Sequence, residues 1–197
     1  MAPSFVPASQ ASTPSGKDVV VIGQKNGILW IFDAISGNIE SATVVGPDLT
    51  SSGVLVWGIA VDFSRAYFTV LNPNYATCIV LSDHVNVSNA AYGAVDLQTG
   101  GIVWEVPVPQ NGTSYAPPSV TNDLVIVGRS GDFDFVPAPG DASNIVFLDK
   151  ANCALVAEVK TEQTQFGGAA VDGRYILFGS GYSYAPPGSF NVYTAEG

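Results

Sequence analysis

Apolar and polar positions alternate over short stretches along most of the chain, and these stretches end at Gly or Asx residues. Residues 19–23 are followed by 28–33, and the same pattern returns at 124–128 and 145–149. The stretches are rich in Val, Ile, Tyr, Phe and Trp, as antiparallel strands are. No window of about twelve residues shows the 3.6-residue apolar period of an amphipathic helix. The pattern therefore predicts an all-β protein.

A turn of the form Asp-x-x-Ser/Thr-Gly recurs where such a pair of strands ends. It occurs after Asp33 and Asp96, and a degenerate copy follows Asp149. The Asp side chain can accept hydrogen bonds from its own turn, and Gly permits the positive φ that the turn requires. The three Asp residues lie 63 and 53 positions apart. Since a compact four-stranded blade takes about 40–50 residues, loops are inserted between the strands.

We interpret the repeat as about four blades of a β-propeller, in which four-stranded antiparallel sheets surround an axis. A β-sandwich with accidentally similar turns is the alternative. Two insertions, at 72–91 and 129–144, fall between second and third strands, on the face where the entrance to the axial site is expected. The predicted repeats are roughly 17–56, 57–110, 116–164 and 166–197, within one partial propeller domain over residues 1–197.

Charge and hydropathy narrow the range of partners. Seven basic and 17 acidic residues give a net charge of −10, and 47% of the 197 residues are apolar. A surface this acidic repels phosphate groups, so nucleic acid and anionic membranes are poor partners. No apolar run approaches the ~20 residues that span a bilayer. The chain is therefore expected to be a folded protein without a membrane span.

Two N-glycosylation triplets begin at Asn86 and Asn111 and favour a secreted protein, although such triplets also arise by chance. The N-terminal residues do not form a signal peptide, so a secretion signal would have to precede Met1. Cys78 and Cys153 lack the spacing of a zinc site or a redox pair. A disulfide and two free thiols both remain open for them.

One blade resembles the repeat of the pyrroloquinoline quinone (PQQ) dehydrogenases: the segment from Asp96 to Trp104, which reads Asp-Leu-Gln-Thr-Gly-Gly-Ile-Val-Trp. Residues 23–27, 57–62 and 179–182 resemble local signatures of the polyvinyl-alcohol dehydrogenase-like branch, in the same order. The resemblance covers nearly all of 17–197. It implies an eight-bladed quinoprotein-type propeller with PQQ and Ca²⁺ on the axis. This chain would be its C-terminal half, truncated at the N terminus, with the catalytic Asp falling before Met1.

The resemblance also implies five cofactor-binding residues. Lys25 would place a cation near the quinone oxygens and stabilise a developing oxyanion; a solvated turn lysine is the alternative. Trp57 and Gly58 are predicted to begin an inner strand, where an aromatic ring can face a planar cofactor and Gly permits close approach. The alternative for Trp57 is a core position between blades. Gly181 and Tyr182 are expected on the same face, with loop packing as the alternative for Tyr182.

Other polar residues give weaker signals. His84 is the sole histidine, and an exposed loop position is favoured over a general base. Asp132, Asp134 and Asp141 lie within ten residues, but their spacing does not match an EF-hand, and a solvated acidic loop is favoured. We therefore predict no catalytic residue and no metal ligand within this chain.

Two functions are consistent with these patterns. In the first, the chain is a fragment of a secreted oxidoreductase that depends on PQQ and calcium. That enzyme would transfer a hydride from a secondary alcohol or polyol to PQQ, and the fragment alone would bind no cofactor and be inactive. In the second, the chain is a non-catalytic propeller that binds a protein or glycan partner. Its ring would then be completed by formation of a homodimer.

Overall fold

The fold comes from a computed structural model, which describes residues 1–47, 54–72, 79–80, 84–130, 144–181 and 188–195. Regular structure within these ranges is almost entirely β-strand, apart from short 3-10 turns. No helix in these ranges is long and apolar enough to cross a bilayer. The strands in chain order are β1 (Ser4–Val6), β2 (Val19–Gly23), β3 (Ile28–Asp33), β4 (Ile39–Val44), β5 (Ala60–Val61), β6 (Arg65–Leu71), β7 (Ile79–Val80), β8 (Asn86–Val87), β9 (Ala90–Asp96), β10 (Ile102–Pro107), β11 (Ser119–Val120), β12 (Leu124–Arg129), β13 (Asn144–Asp149), β14 (Leu155–Lys160), β15 (Ala170–Asp172), β16 (Tyr175–Ser180) and β17 (Ser189–Thr194).

These strands form four antiparallel sheets, which we call blades 1 to 4. Blade 1 has the order β1-β2-β3-β4, blade 2 the order β5-β6-β9-β10, and blade 3 the order β11-β12-β13-β14. Blade 4 consists of β15-β16-β17 among the described residues, and β7-β8 is a separate hairpin inserted into blade 2. Strand β5 lies against both β1 and β11, so the first strand of each blade is the inner one. The predicted all-β propeller architecture is confirmed.

Blade 1 begins upstream of the first predicted repeat. Strand β1 pairs with Val19–Val21 of β2, whereas the repeat in the sequence starts at residue 17. The inner strands are very short, and β1 has a single buried side chain, that of Val6. Apolar alternation over three residues is too brief to predict a strand.

The Asp turns connect the third and fourth strands of their blades. Asp33 Oδ1 accepts hydrogen bonds from the N–H groups of Ile35 and Ser36, each at 2.9 Å. Gly37 closes this turn with φ 73°. In the degenerate turn of blade 3, Cys153 occupies the corresponding position with φ 60°. A non-glycine residue rarely adopts this conformation, so the hydrogen bonds of the turn hold Cys153 in it.

The core lies between the blades, because each sheet is apolar on both faces. In β12, Val125 and Val127 pack towards blade 2, while Ile126 packs towards blade 4, and all three are 1% exposed. We call the face that points towards the previous blade in the chain the preceding face, and the face that points towards the next blade the following face. In blade 2, the ring of Phe68 lies over Gly93 of the adjacent strand so closely that a Cβ on Gly93 would overlap it. This contact therefore fixes the pairing of β6 with β9 within blade 2.

The first prediction concerns Asp33, whose Oδ2 lies 2.8 Å from Lys17 Nζ. The hydrogen bond from Lys17, and then those from Ser36 and Ile35, hold the pKa of the Asp33 carboxyl well below its usual value. A lowered folded-state pKa stabilises the protein above the unfolded-state pKa and loses this effect as pH falls. We expect Asp33→Asn to lower the melting temperature at neutral pH, with a difference that shrinks below about pH 4.

The matched control is Asp96→Asn. Asp96 makes the equivalent turn with a hydrogen bond from the Thr99 N–H at 2.8 Å, but no ion pair of Asp96 occurs among the described residues. Thermal melts at several pH values should show a smaller loss for Asp96→Asn. Equal losses at both positions, without pH dependence, would contradict the assigned role of Lys17.

Candidate functional site

The two ends of the blades carry different connections. At one end, which we call the turn end, the turn after each third strand forms a hydrogen bond with the loop after the inner strand. In blade 1, for example, Ala34 N–H donates to Asp18 C=O at 2.9 Å. At the opposite end, the loop end, the connections between blades meet those between second and third strands. Val45 N–H, for example, donates to Gly27 C=O at 2.8 Å. The predicted cofactor-binding residues that the structure describes all belong to the loop end.

The turn of Lys25 is linked through the backbone of Val54 to the cleft that Trp57 and Gly58 line. Lys25 lies in the exposed turn between β2 and β3, and its C=O accepts a hydrogen bond from Val54 N–H at 3.0 Å. Val54, Trp57 and Gly58 line a narrow cleft of about 10 Å³, which has room for about one water. Pro117 also lines it, and a Cβ on Gly58 would lie 3.2 Å from the Cβ of Pro117.

The position of Trp57 differs from both readings of the sequence. Trp57 is 48% exposed, so its side chain does not fill the core between blades. The inner strand begins at Ala60, so Trp57 and Gly58 lie in the connection that precedes it. The prediction that they begin the inner strand is wrong, because the hydrogen-bonded part of that strand is limited to two residues. The indole is instead presented at the surface of the loop end.

Gly181 lies apart from this group. It follows β16 directly, with φ 95°, and its N–H donates to Thr164 C=O at 2.9 Å. A Cβ there would approach Gly188, which precedes β17. The structure thus places Gly181 at the boundary of blades 3 and 4, and Tyr182 falls outside the described residues.

The described residues provide no carboxylate set for calcium. No three His, Cys, Asp or Glu side chains come together within the ranges that the structure covers. Asp132, Asp134 and Asp141, as well as Cys78, lie outside those ranges. His84 is exposed and has φ 66°, as expected for a loop position.

A buried polar cluster at the loop end, between blades 2 and 3, was not predicted. Arg129 is 2% exposed, and its Nη1 donates to Gln110 Oε1 at 2.8 Å. Its Nη2 lies 3.9 Å from Glu158 Oε2, which also accepts a hydrogen bond from Asn144 Nδ2 at 3.0 Å. We call these four residues the Arg129 cluster. A signal was present in the sequence, since Arg129 ends an otherwise apolar strand.

The Arg129 cluster is not saturated with hydrogen bonds. Arg129 Nε and Nη2, Asn144 Oδ1 and Glu158 Oε1 are buried and have no hydrogen-bond partner among the described residues. Buried polar groups normally find one, because an unmatched group costs about 1–3 kcal/mol. Open donors beside open acceptors match a group that does both, such as water or a hydroxyl.

A second cavity, of about 310 Å³, opens at the turn end between the inner strands. Asp62 Oδ2 lies there, 3.1 Å from Lys150 Nζ and 2.9 Å from the Tyr67 hydroxyl that donates to it. Burial acts to raise the pKa of Asp62. Hydrogen bonds from Ser64, Tyr67, Arg65 and Lys150 together outweigh burial and lower the pKa. Burial and the Asp62 carboxylate raise the pKa of Tyr67. The remaining wall is largely apolar: Phe5, Val6, Val61, Phe63 and Val120. The paired charges suit a structural role.

The two predicted glycosylation triplets differ in exposure. Asn86 is exposed in β8, and Ser88, directly after that strand, is also exposed. Asn111 lies in the 3-10 turn Pro109–Asn111, and Thr113 of its triplet is buried. Cys153 is a free thiol whose pKa is raised by burial.

Comparisons with solved structures establish the kind of fold. BamB from Moraxella catarrhalis matches 84% of this chain with a TM-score of 0.54 and 18% identity. Quinohemoprotein alcohol dehydrogenase ADHIIG from Pseudomonas putida HK5 matches 82% with a TM-score of 0.59 and 16% identity. Quinohemoprotein alcohol dehydrogenase from Comamonas testosteroni matches 98% with a TM-score of 0.59 and 13% identity. No protein-family model matches the sequence, and no curated protein sequence matches it either.

The fold is therefore a β-propeller of the type found in quinoprotein alcohol dehydrogenases and in BamB. At these identities the likeness concerns the fold. The chain spans 41% of the BamB chain, 26% of the P. putida enzyme and 37% of the C. testosteroni enzyme.

The second prediction concerns the Arg129 cluster. Glu158→Ala leaves the buried guanidinium without its carboxylate, and breaking a buried ion pair from one side costs about 3–5 kcal/mol. Because the Glu158 side chain is 22% exposed, we expect a loss near the lower limit, about 3 kcal/mol, in urea unfolding. The double variant Arg129→Met/Glu158→Ala should recover part of this loss. Glu162→Ala, at an exposed position nearby in the sequence, should change little. A neutral Glu158→Ala would contradict the prediction.

Proposed function

We propose that this chain forms part of an oxidoreductase of the quinoprotein alcohol dehydrogenase type, and that its loop end supplies one wall of a PQQ site. The observation that supports this function is the backbone contact between the turn of Lys25 and Val54, which lines one cleft with Trp57 and Gly58. A lysine in the turn next to this cleft and a half-exposed indole suit a planar, anionic quinone. The shared propeller fold supports the same class of protein.

The described residues suit a quinone better than a metal. Trp57 would offer its ring face and Lys25 would hold an anionic oxygen, whereas Gly58 packs against Pro117 in a cleft that has room for about one water. PQQ, when bound, supplies the acceptor for a hydride from an alcohol or polyol. Gly181 and Tyr182 stay further candidates for the same site. No group of three possible metal ligands comes together among the described residues. Because the resemblance places the catalytic Asp outside this sequence, the 197-residue chain would be inactive alone; the triplets at Asn86 and Asn111 favour a secreted full-length protein.

A second candidate function is a non-catalytic propeller that binds a protein or glycan. Two observations favour it. The described part of the chain brings together no group of three acidic or metal-binding side chains, and the open donors and acceptors of the Arg129 cluster suit hydroxyl groups. N-glycosylation at Asn86, and less readily at Asn111, would be consistent with either function outside the cytosol.

Quenching of tryptophan fluorescence tests PQQ binding directly. Because the chain supplies only one wall of the site, we expect it to retain no PQQ on purification but to show weak, saturable quenching by added PQQ, most of which Trp57→Phe removes. Trp30→Phe is the matched control, because Trp30 lies on blade 1 away from the cleft of Trp57. Lys25→Gln should raise the apparent Kd by about tenfold or more, as the loss of one hydrogen bond to a charged group predicts. The control Lys160→Gln, which replaces an exposed lysine of blade 3, should leave the apparent Kd unchanged.

Turnover assays complete this test. The chain with PQQ, Ca²⁺, a secondary alcohol and a dye acceptor should show no turnover. Turnover would overturn the proposed inactivity, and quenching that is unchanged in Trp57→Phe would refute this PQQ site. If PQQ does not quench at all while glycans or a protein partner bind, the second function replaces the first.

A further inference from the structure

Blades 1 and 4 each have one apolar face that no other blade covers among the described residues. On blade 1, Phe5 is 59% exposed and Val44 is 68% exposed. On blade 4, Phe190 is 72% exposed and Val192 is 54% exposed. On blade 1, strand register places Phe5 and Val44 on the same face as Val20, Ile22, Ile28, Trp30 and Phe32. On blade 4, it places Phe190 and Val192 on the same face as Tyr175 and Leu177. Contiguous exposed apolar faces of this kind mark interaction surfaces.

The uncovered face of blade 1 is its preceding face. Ile22 of blade 1 and Val127 of blade 3 each directly precede a Gly in the second strand, and Trp30 and Val146 each lie three residues before the final Asp of the third strand. The two pairs therefore hold equivalent positions in the repeat. Val127 is 1% exposed and Val146 is 0% exposed, because blade 2 covers them. The equivalent positions in blade 1 are only half-buried. The preceding face of blade 1 therefore lacks the following face of another blade.

The uncovered face of blade 4 is its following face. Leu177 holds the repeat position of Ile126, and Phe190 that of Ile145, and both blade 3 residues are 1% exposed between blades 3 and 4. Blade 4 uses its opposite face, with Phe178 at 2% exposure, to contact blade 3. One end of the chain thus presents a preceding face and the other a following face. These are the two faces that pack together at every junction inside the chain.

We propose that two copies of this chain close one ring, in which blade 4 of each copy packs on blade 1 of the other. The two contacts are identical and are related by a two-fold axis, so the assembly is closed. For the 197-residue chain by itself, the occupant of each apolar face is a second copy, because the same chain carries both of the complementary faces. This inference does not depend on PQQ; in a longer protein with further blades, as in the proposed function, those blades would take the place of the second copy.

Gly179 adds a detail of shape to this contact. It lies on the following face of blade 4, opposite Phe190 in the strand register, and a Cβ there would meet only Ser189 C=O, at 4.0 Å. In blade 2 the space over Gly93 is filled by the ring of Phe68. The open space over Gly179 is therefore suited to an aromatic ring from the partner, and the preceding face of blade 1 is rich in such rings.

The oligomeric state of the purified 197-residue chain tests the proposal. Light scattering should give the mass of two copies, constant over a wide range of concentration. Val192→Glu on blade 4 and Phe5→Glu on blade 1 each place a charge in both contacts of the ring, and each should weaken association by about tenfold or more. Ile35→Glu is the matched control, because Ile35 is 93% exposed in the Asp33 turn and lies on neither face. It should leave the dimer intact.

Mixing the two variants separates this arrangement from others. A Val192→Glu copy and a Phe5→Glu copy retain one unaltered contact between them, so the mixture should form a one-to-one complex that neither variant forms alone. Circular dichroism should match the parent chain for each variant, and Val44→Glu replaces Phe5→Glu if the latter does not fold. A monomer at all concentrations, a mass that climbs with concentration, or a dimer that survives Val192→Glu would each overturn the proposal. Loss of PQQ quenching with an intact dimer would instead bear on the proposed function alone.

Discussion

Each blade of this protein carries apolar side chains on both of its faces, and the rest of the structure depends on the need to cover both. Tyr67 and Phe68 are neighbours in β6 and point to opposite faces, yet both are almost fully buried. A sheet with this composition must be covered twice, so it can be stable only between two others. Blades 2 and 3 meet this condition within the chain. Since both faces are committed to packing, only the two ends of the blades are left for chemistry.

Those two ends are chemically distinct. At the turn end, Asp33 and Asp62 satisfy their own turns and pair with lysines, so the charges are neutralised locally. At the loop end, Arg129 is buried with open donors, and Trp57 is exposed beside the turn of Lys25. A rigid scaffold with one self-sufficient end and one end with unmatched groups directs binding to the second. The sites proposed for a quinone and for hydroxyl groups both lie there.

The sequence predicted what local hydrogen bonding determines and missed what distant residues determine. The Asp turns after Asp33 and Asp96 follow from side-chain chemistry within five residues, so the hairpins were predictable. The inner strands were not, since a segment such as Ala60–Val61 is defined by neighbouring strands rather than by its own pattern. For the candidate site, the loop-end location of Lys25 was predictable from topology. The Arg129 cluster was not, because it joins residues from four separate segments of the chain, and only Arg129 itself stands out, at the end of an apolar strand.

The junctions between blades are unequal in size, and this inequality has a kinetic consequence. Among the described residues, fifteen buried side chains form the core between blades 1 and 2, ten that between blades 2 and 3, and four that between blades 3 and 4. In a repeat protein each unit contacts only its neighbours, so stability is a sum of local terms. Blade 4 should open first and most often, and its amide hydrogens should exchange while those of blades 1 and 2 stay protected. The lifetime of the whole fold is then governed from its C-terminal side.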